Sequence, residues 1–149
     1  MKKIILSLLL LVSASLASNV HWQKDLKTAL AQAQKVGKPL LLVSSRHTCK
    51  YCVMLDETTF KNSKVVKALN KDFVAFTSYS DEGDVMPREL WRPGTPAIWF
   101  LLPSGEPMYE PLMGAVGADD FLKALSIVRE EYNKTYKKKN KNDFYKLKK

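Results

Sequence analysis

Residues 39–57 read PLLLVSSRHTCKYCVMLDE and contain the only two cysteines of the chain, Cys49 and Cys52. The apolar run over residues 40–43 favours a buried strand, and residues 53–57 are compatible with a helix. A helix that begins at Cys49 places its thiol beside free backbone N–H groups and the positive end of the helix dipole, which favour a thiolate. Cys52 then lies one turn further on the same face, within reach of a disulfide. The stretch therefore predicts a reversible dithiol switch and points to redox chemistry.

The N-terminus has the pattern of an export signal. Lys2 and Lys3 precede a nearly all-apolar run over residues 4–12, and small residues follow at 15–17. We therefore expect residues 1–17 to be a cleaved secretory signal peptide, with an uncleaved N-terminal anchor as the alternative. The mature protein would then be periplasmic or otherwise secreted, where a dithiol meets an oxidising environment.

The formal net charge of +9 comes mostly from the C-terminus. Residues 133–149 hold eight lysines and one aspartate, whereas residues 18–132 hold fourteen basic and fourteen acidic side chains. We expect a flexible, solvated basic tail over residues 134–149, after one folded domain over residues 18–133. Weak attraction of the tail to an anionic membrane surface or an acidic partner is the alternative. No nucleic-acid partner is expected for an exported protein.

The rest of the pattern predicts helices and strands in mixed order. Helices are expected over residues 25–36, 49–57, 62–69 and 86–90, and from Asp119 or Asp120 to 132. Strands are expected over residues 40–43, 73–79, 97–102 and 108–113, the last two forming a hairpin across a turn at 103–107. This order indicates a single α/β domain with a central mixed β-sheet flanked by helices.

A second motif lies downstream of the cysteines, where residues 94–97 read GTPA and lead into the apolar run 98–101. Together with the CxxC at the end of a predicted strand, the glycine-containing hairpin and the final helix, this order resembles the thioredoxin fold from near Trp22 to near Tyr132. The resemblance implies a cis-proline at Pro96 and the activity of an exported thiol:disulfide oxidoreductase.

The same resemblance implies roles for individual residues. Cys49 would attack a substrate disulfide and Cys52 would resolve the adduct, so that the pair alternates between a dithiol and a Cys49–Cys52 disulfide. Thr95, Pro96 and Tyr51 would bind the substrate, with the Thr95 backbone pairing with an extended segment. No cofactor and no metal is implied, and the partners would be protein thiol or disulfide substrates and a redox partner protein. Tyr51 and Thr95 are similar to the residues at these positions in periplasmic disulfide isomerases, which favours a reducing or isomerising direction.

Two positions depart from the family pattern. Thr48 stands where many thioredoxins have a tryptophan, and Val43 stands where many have a buried acid that helps to move a proton from the second cysteine. Glu57 or a water is the substitute that the sequence suggests for that acid.

Three other interpretations of the cysteines stay open at this point. A non-catalytic bridge would stabilise the chain little, because the loop that it closes is so short. A zinc site with His47 and His21 would need four ligands that the sequence does not bring together. A non-enzymatic binding module could keep the fold with a structural or vestigial CxxC.

Overall fold

A computed structural model describes residues 19–137, so the predicted signal peptide and most of the predicted tail lie outside the described residues. The helices are α1 (Leu26–Val36), α2 (Lys50–Glu57), α3 (Ser63–Asp72) and α4 (Ala118–Glu131). The strands are β1 (Leu40–Ser45), β2 (Val74–Tyr79), β3 (Ala97–Leu101) and β4 (Leu112–Met113). Short 3₁₀ helices cover Thr59–Lys61 and Arg88–Leu90, and a π-helical segment, Tyr132–Lys137, follows α4. Within this part of the chain no helix is both long enough and apolar enough to cross a bilayer.

The four strands form one mixed sheet in the order β2-β1-β3-β4. β1 pairs parallel with β2, from Leu40 opposite Val74 to Ser45 opposite Tyr79, and antiparallel with β3. β1 is therefore an inner strand, and its first four residues are fully buried, as a strand covered on both faces requires. The predicted α/β domain with a central mixed sheet and flanking helices is confirmed.

Side chains of β1 alternate between two hydrophobic clusters, one on each face of the sheet. Leu40 and Leu42 pack with Ala29 and Ala33 of α1 and with Trp99 of β3. Leu41 and Val43 belong to the opposite cluster, which also contains residues of α2, α3 and α4: Leu55, Val65, Val66, Leu69, Phe121, Leu125 and Val128. β1 is thus held between two packed clusters, and the cysteine segment starts from its C-terminal end.

The return strand of the hairpin is much shorter than the prediction of 108–113. Only Leu112–Met113 forms a strand, although the Met108 N–H still donates to the Phe100 carbonyl at 2.8 Å. Pro107 and Pro111 explain the difference, because proline has no N–H with which to continue a ladder of hydrogen bonds.

The last helix begins one residue before the predicted Asp119, at Ala118, with Gly117 as its N-cap and no capping side chain. Asp119 and Asp120 occupy the first turn instead, where their carboxylates interact favourably with the helix dipole.

Candidate functional site

The two cysteines lie at the junction between β1 and α2. Cys49 is the N-cap of α2, and its Sγ accepts the backbone N–H of Cys52 at 3.3 Å. A carboxylate fixes the loop before it, because the His47 N–H donates to Oδ2 of Asp81 at 2.7 Å. Both cysteines are free thiols in this structure. The predicted start of the helix at the first cysteine is confirmed.

Cys49 is the half-buried member of the pair, and its thiol donates to the Thr95 carbonyl at 3.4 Å. Burial is the largest influence on the pKa of Cys49 and raises it. Hydrogen bonds from the side chains of Cys52 and Thr95 and from the backbone N–H groups of Cys52 and Tyr51 outweigh burial. The pKa of Cys49 therefore lies below the ordinary thiol value, as the tip of a helix favours.

Cys52 is the buried member, with 1% of its surface exposed. Burial is again the largest influence, and here it prevails, so the pKa of Cys52 is raised. The hydrogen bond with Cys49 adds to the increase, while hydrogen bonds from the side chains of Thr95 and Ser45 oppose it. The two sulfurs thus differ in the direction that a nucleophile and a resolving thiol require.

Thr95 and Pro96 form the ledge beside the sulfurs. The Thr95–Pro96 peptide bond is cis, Pro96 is buried, and its carbonyl accepts the Gly114 N–H at 2.9 Å. Gly94 precedes them with φ of +100°, a left-handed conformation that favours glycine. The structure thus places Thr95, and with it Pro96, beside Cys49 and Cys52.

Exposed aromatic side chains flank the site. Tyr51 is 58% exposed, and Trp91 is 62% exposed. Trp91, Arg46 and Thr95 line a cavity of about 340 Å³ next to the Thr95 ledge. Tyr51 lies on the exposed side of α2.

A polar cluster behind Cys52 was not predicted from the sequence. The Tyr79 hydroxyl donates to Oδ2 of Asp56 at 3.3 Å, and the Tyr79 ring stacks on His47 with centroids 4.0 Å apart. His47 Nε2 lies 2.6 Å from Oε1 of Glu82. Glu57, the acid suggested from the sequence, is exposed, whereas Asp56 is half-buried. The available signal was the four-residue spacing from Cys52 to Asp56, which places both side chains on one helix face.

A metal site is not formed in the described part of the chain. Across residues 19–137 no group of three or more histidine, cysteine, aspartate or glutamate side chains is placed to hold a metal ion. His47 is engaged with Tyr79 and Glu82, and His21 donates its backbone N–H to Asn70 at 2.9 Å.

Comparison with known proteins defines the class to which this fold and this site belong. A family model described as thioredoxin-like matches residues 21–103, more than half of the chain, and the chain belongs to this family. A solved thioredoxin from Thermus thermophilus is 25% identical with a TM-score of 0.65, covering 76% of this chain and 90% of that chain. The reduced C-terminal domain of DsbD from Neisseria meningitidis is 25% identical with a TM-score of 0.55, covering 68% and 91%.

A curated relative matches over a shorter stretch. Human spermatogenesis-associated protein 20 is 34% identical over 56 residues, which are 38% of this chain and 7% of that protein. The chain therefore spans a small part of the length of this relative, and the match bears on the domain rather than on the whole protein.

The lowered pKa of Cys49 leads to a pH-dependent reactivity that can be measured. The thiolate is the form of the cysteine that reacts with iodoacetamide. The rate of alkylation of the reduced protein should therefore stay near its high-pH value at pH values below the ordinary thiol pKa of about 8.5. Thr95→Val removes one hydrogen bond that favours the thiolate, so we expect the midpoint of the rate profile to move upward. Stopped-flow rates, with mass spectrometry to assign the alkylated cysteine, give the profile.

The control is the same protein unfolded in urea, whose thiols have no helix tip beside them. A folded midpoint equal to or above the unfolded one would contradict the lowered pKa of Cys49.

Proposed function

We propose that this protein is a thiol:disulfide oxidoreductase that exchanges a Cys49–Cys52 dithiol and disulfide with protein substrates. The observation that carries the proposal is the difference in burial and in pKa between the two cysteines. A partly exposed thiol with a lowered pKa caps α2 directly above a buried thiol with a raised pKa. A structural bridge needs no such difference, whereas a two-step exchange does.

In the forward direction, the Cys49 thiolate attacks one sulfur of a client disulfide. A mixed disulfide forms between Cys49 and the client, and the second client sulfur leaves as a thiolate. Cys52 then attacks Sγ of Cys49, which releases the reduced client and leaves the Cys49–Cys52 disulfide. A redox partner protein returns the pair to the dithiol. The reverse sequence oxidises a client dithiol.

The ledge beside the sulfurs supports a protein client. The Thr95 carbonyl already accepts a hydrogen bond from Cys49, so the backbone here faces the reacting sulfur. An extended client segment laid along Thr95 and Pro96 would bring its own sulfur to the same place, in the manner of an added strand. The exposed ring of Tyr51 would contact the client from the α2 side.

A reducing or isomerising role is the direction that we favour. Its support is the similarity of Tyr51 and Thr95 to the residues of periplasmic disulfide isomerases. The C-terminal domain of DsbD from Neisseria meningitidis, which has a similar fold, was solved in a reduced and in an oxidised form. The location that we propose, periplasmic or otherwise secreted, rests on the pattern of residues 1–17.

Capture of clients tests the proposal. Cys52→Ala leaves the Cys49 nucleophile without its resolving thiol, so mixed disulfides should accumulate on Cys49 and disappear on reduction. Cys49→Ala and the double Cys→Ser variant are the matched controls and should capture nothing. Non-reducing electrophoresis followed by mass spectrometry of the cross-linked peptides identifies the clients.

A binding module is the second candidate, because exposed rings of Tyr51 and Trp91 would serve binding without exchange equally well. It predicts that Cys52→Ala captures no client and that the double Cys→Ser variant still binds its partner. That pair of results would overturn the oxidoreductase proposal.

A further inference from the structure

The resolving step requires a base that the usual position does not provide. Cys52 is buried and its pKa is raised, so this thiol carries its proton at neutral pH. The proton has to leave before Cys52 can attack Cys49. Val43, six residues before Cys49, is fully buried and apolar. The base must therefore come from another element.

Asp56 is the acid that α2 places on the face of Cys52. The two residues are four apart on this helix, so their side chains lie one above the other. Asp56 is half-buried, and its contact with the Tyr79 hydroxyl is long, at 3.3 Å. Burial, the largest influence, raises the pKa of Asp56 and makes its carboxylate a stronger base than an exposed one.

Tyr79 lies close to both groups but cannot take the proton itself. Burial raises the pKa of Tyr79 to about 12, with contributions from Asp56, from Glu82 and from the charge of Cys52. A phenol with this pKa stays protonated at neutral pH, so it donates to the carboxylate and does not act as the base that removes the proton of the thiol. Asp56 is left as the acceptor.

A separate cavity gives the carboxylate access to solvent. It measures about 280 Å³ and is lined by Asp56, Tyr79, Trp22, Phe60 and Lys61, together with residues 19 and 20. None of these residues lines the cavity at the Thr95 ledge. A proton on Asp56 can therefore exchange with solvent on the side away from a bound client.

The electrostatic surroundings of Asp56 come from several elements. His47 and Lys61 lower the pKa of Asp56, and Glu57 raises it. The charged and titratable groups that face Asp56 and its Tyr79 partner are Cys52, Glu57, Lys61, His47 and Glu82.

We propose that Asp56 is the proton acceptor for Cys52 when Cys52 resolves the mixed disulfide, an inference that rests on the proposed exchange function. The S–H bond of Cys52 breaks, and the proton moves to the Asp56 carboxylate. The Cys52 thiolate attacks Sγ of Cys49, so the Cys49–Cys52 bond forms and the bond from Cys49 to the client sulfur breaks. The client sulfur leaves as a thiolate that takes a proton from solvent. The client disulfide gains two electrons, and the protein dithiol loses them.

The test separates the two steps in one reaction. Reduced protein in excess reacts with dithiobis(nitrobenzoic acid), which releases one coloured thiolate when Cys49 attacks and a second when Cys52 resolves the adduct. In Asp56→Asn we expect an unchanged first release and a second release slowed about 10²-fold near pH 6.5, the low end of general-base effects. The difference in second-release rate between Asp56→Asn and the wild type should shrink as the pH approaches the pKa of Cys52, where the thiol ionises without a base.

The matched control is Glu57→Gln, which removes a neighbouring exposed carboxylate; it should leave the first release unchanged and slow the second far less than Asp56→Asn does. If Asp56 acted only as a negative charge, its removal would ease ionisation of Cys52, and the second release would become faster at neutral pH. A second release that is faster or unchanged in Asp56→Asn therefore overturns the inference.

One further measurement keeps the outcome clear. Should Asp56→Asn fail to fold by circular dichroism, the pH profile of the wild-type second release decides. A rate that reaches a plateau well below the pKa of Cys52 supports a general base. A rate that rises continuously up to that pKa overturns the inference. If the wild type shows no second release that depends on Cys52, the result contradicts the proposed exchange function instead.

Discussion

Replacing Cys49 by serine is expected to reduce disulfide reduction by this protein to the rate of the reductant alone. A serine hydroxyl is not ionised near neutral pH, so the same hydrogen bonds from the α2 tip have no anion to stabilise. The buried Cys52 cannot replace it as the attacking group, because it is 1% exposed and its pKa is raised. Turbidity of insulin in the presence of dithiothreitol measures the loss.

The asymmetry between the two cysteines is the stronger part of this prediction. Cys52→Ser should lose turnover as well but keep the first step, so one half of a small aromatic disulfide should still attach to Cys49 while the other half leaves as a thiolate. Cys49→Ser should keep neither step. Equal residual attachment in the two variants would contradict the assignment of Cys49 as the nucleophile.

Phe121→Ala is expected to cause a large loss of stability. Phe121 is fully buried, and its ring contacts those of Phe60 and Phe100 at centroid distances of 5.6 and 6.3 Å. Removing a buried ring leaves a cavity and costs about 3–5 kcal/mol of the free energy of unfolding. A single domain has only about 5–15 kcal/mol in total, so the variant should lose a large share of its stability.

Ile127→Ala on the same helix is the matched control, because Ile127 is 60% exposed and its truncation creates no internal cavity. Chemical denaturation followed by circular dichroism gives both free energies of unfolding. A cost for Phe121→Ala no larger than that for Ile127→Ala would show that α4 does not anchor this core.

The core fold could be predicted because its signals are local. Residues 40–43 are apolar without interruption, which predicts a strand covered on both faces, and β1 is such a strand. The spacing of Leu26, Ala29 and Ala33 predicts α1, whose buried residues are two of these three. The hairpin was predicted less well, since the pattern over 108–113 suggested a strand that Pro107 and Pro111 prevent from pairing along its length.

For the candidate site too, only the features with local sequence signals could be predicted. The CxxC and the downstream GTPA could be located in the sequence, and the structure places Thr95 against Cys49. The surroundings of Asp56 could not be predicted, because Tyr79 reaches this carboxylate from β2 across 23 positions of sequence. The sequence suggested the neighbouring Glu57, which the helix turns outward.

By itself, the sequence determined which residues are candidates for the chemistry and in which kind of element each of them lies, because strand and helix periodicities and a four-residue cysteine motif are properties of adjacent residues. Only the tertiary structure decided how burial and hydrogen bonds combine at each sulfur and which carboxylate of α2 meets Tyr79. Those properties depend on burial and on hydrogen bonds across the sheet, and both arise only when distant segments pack together.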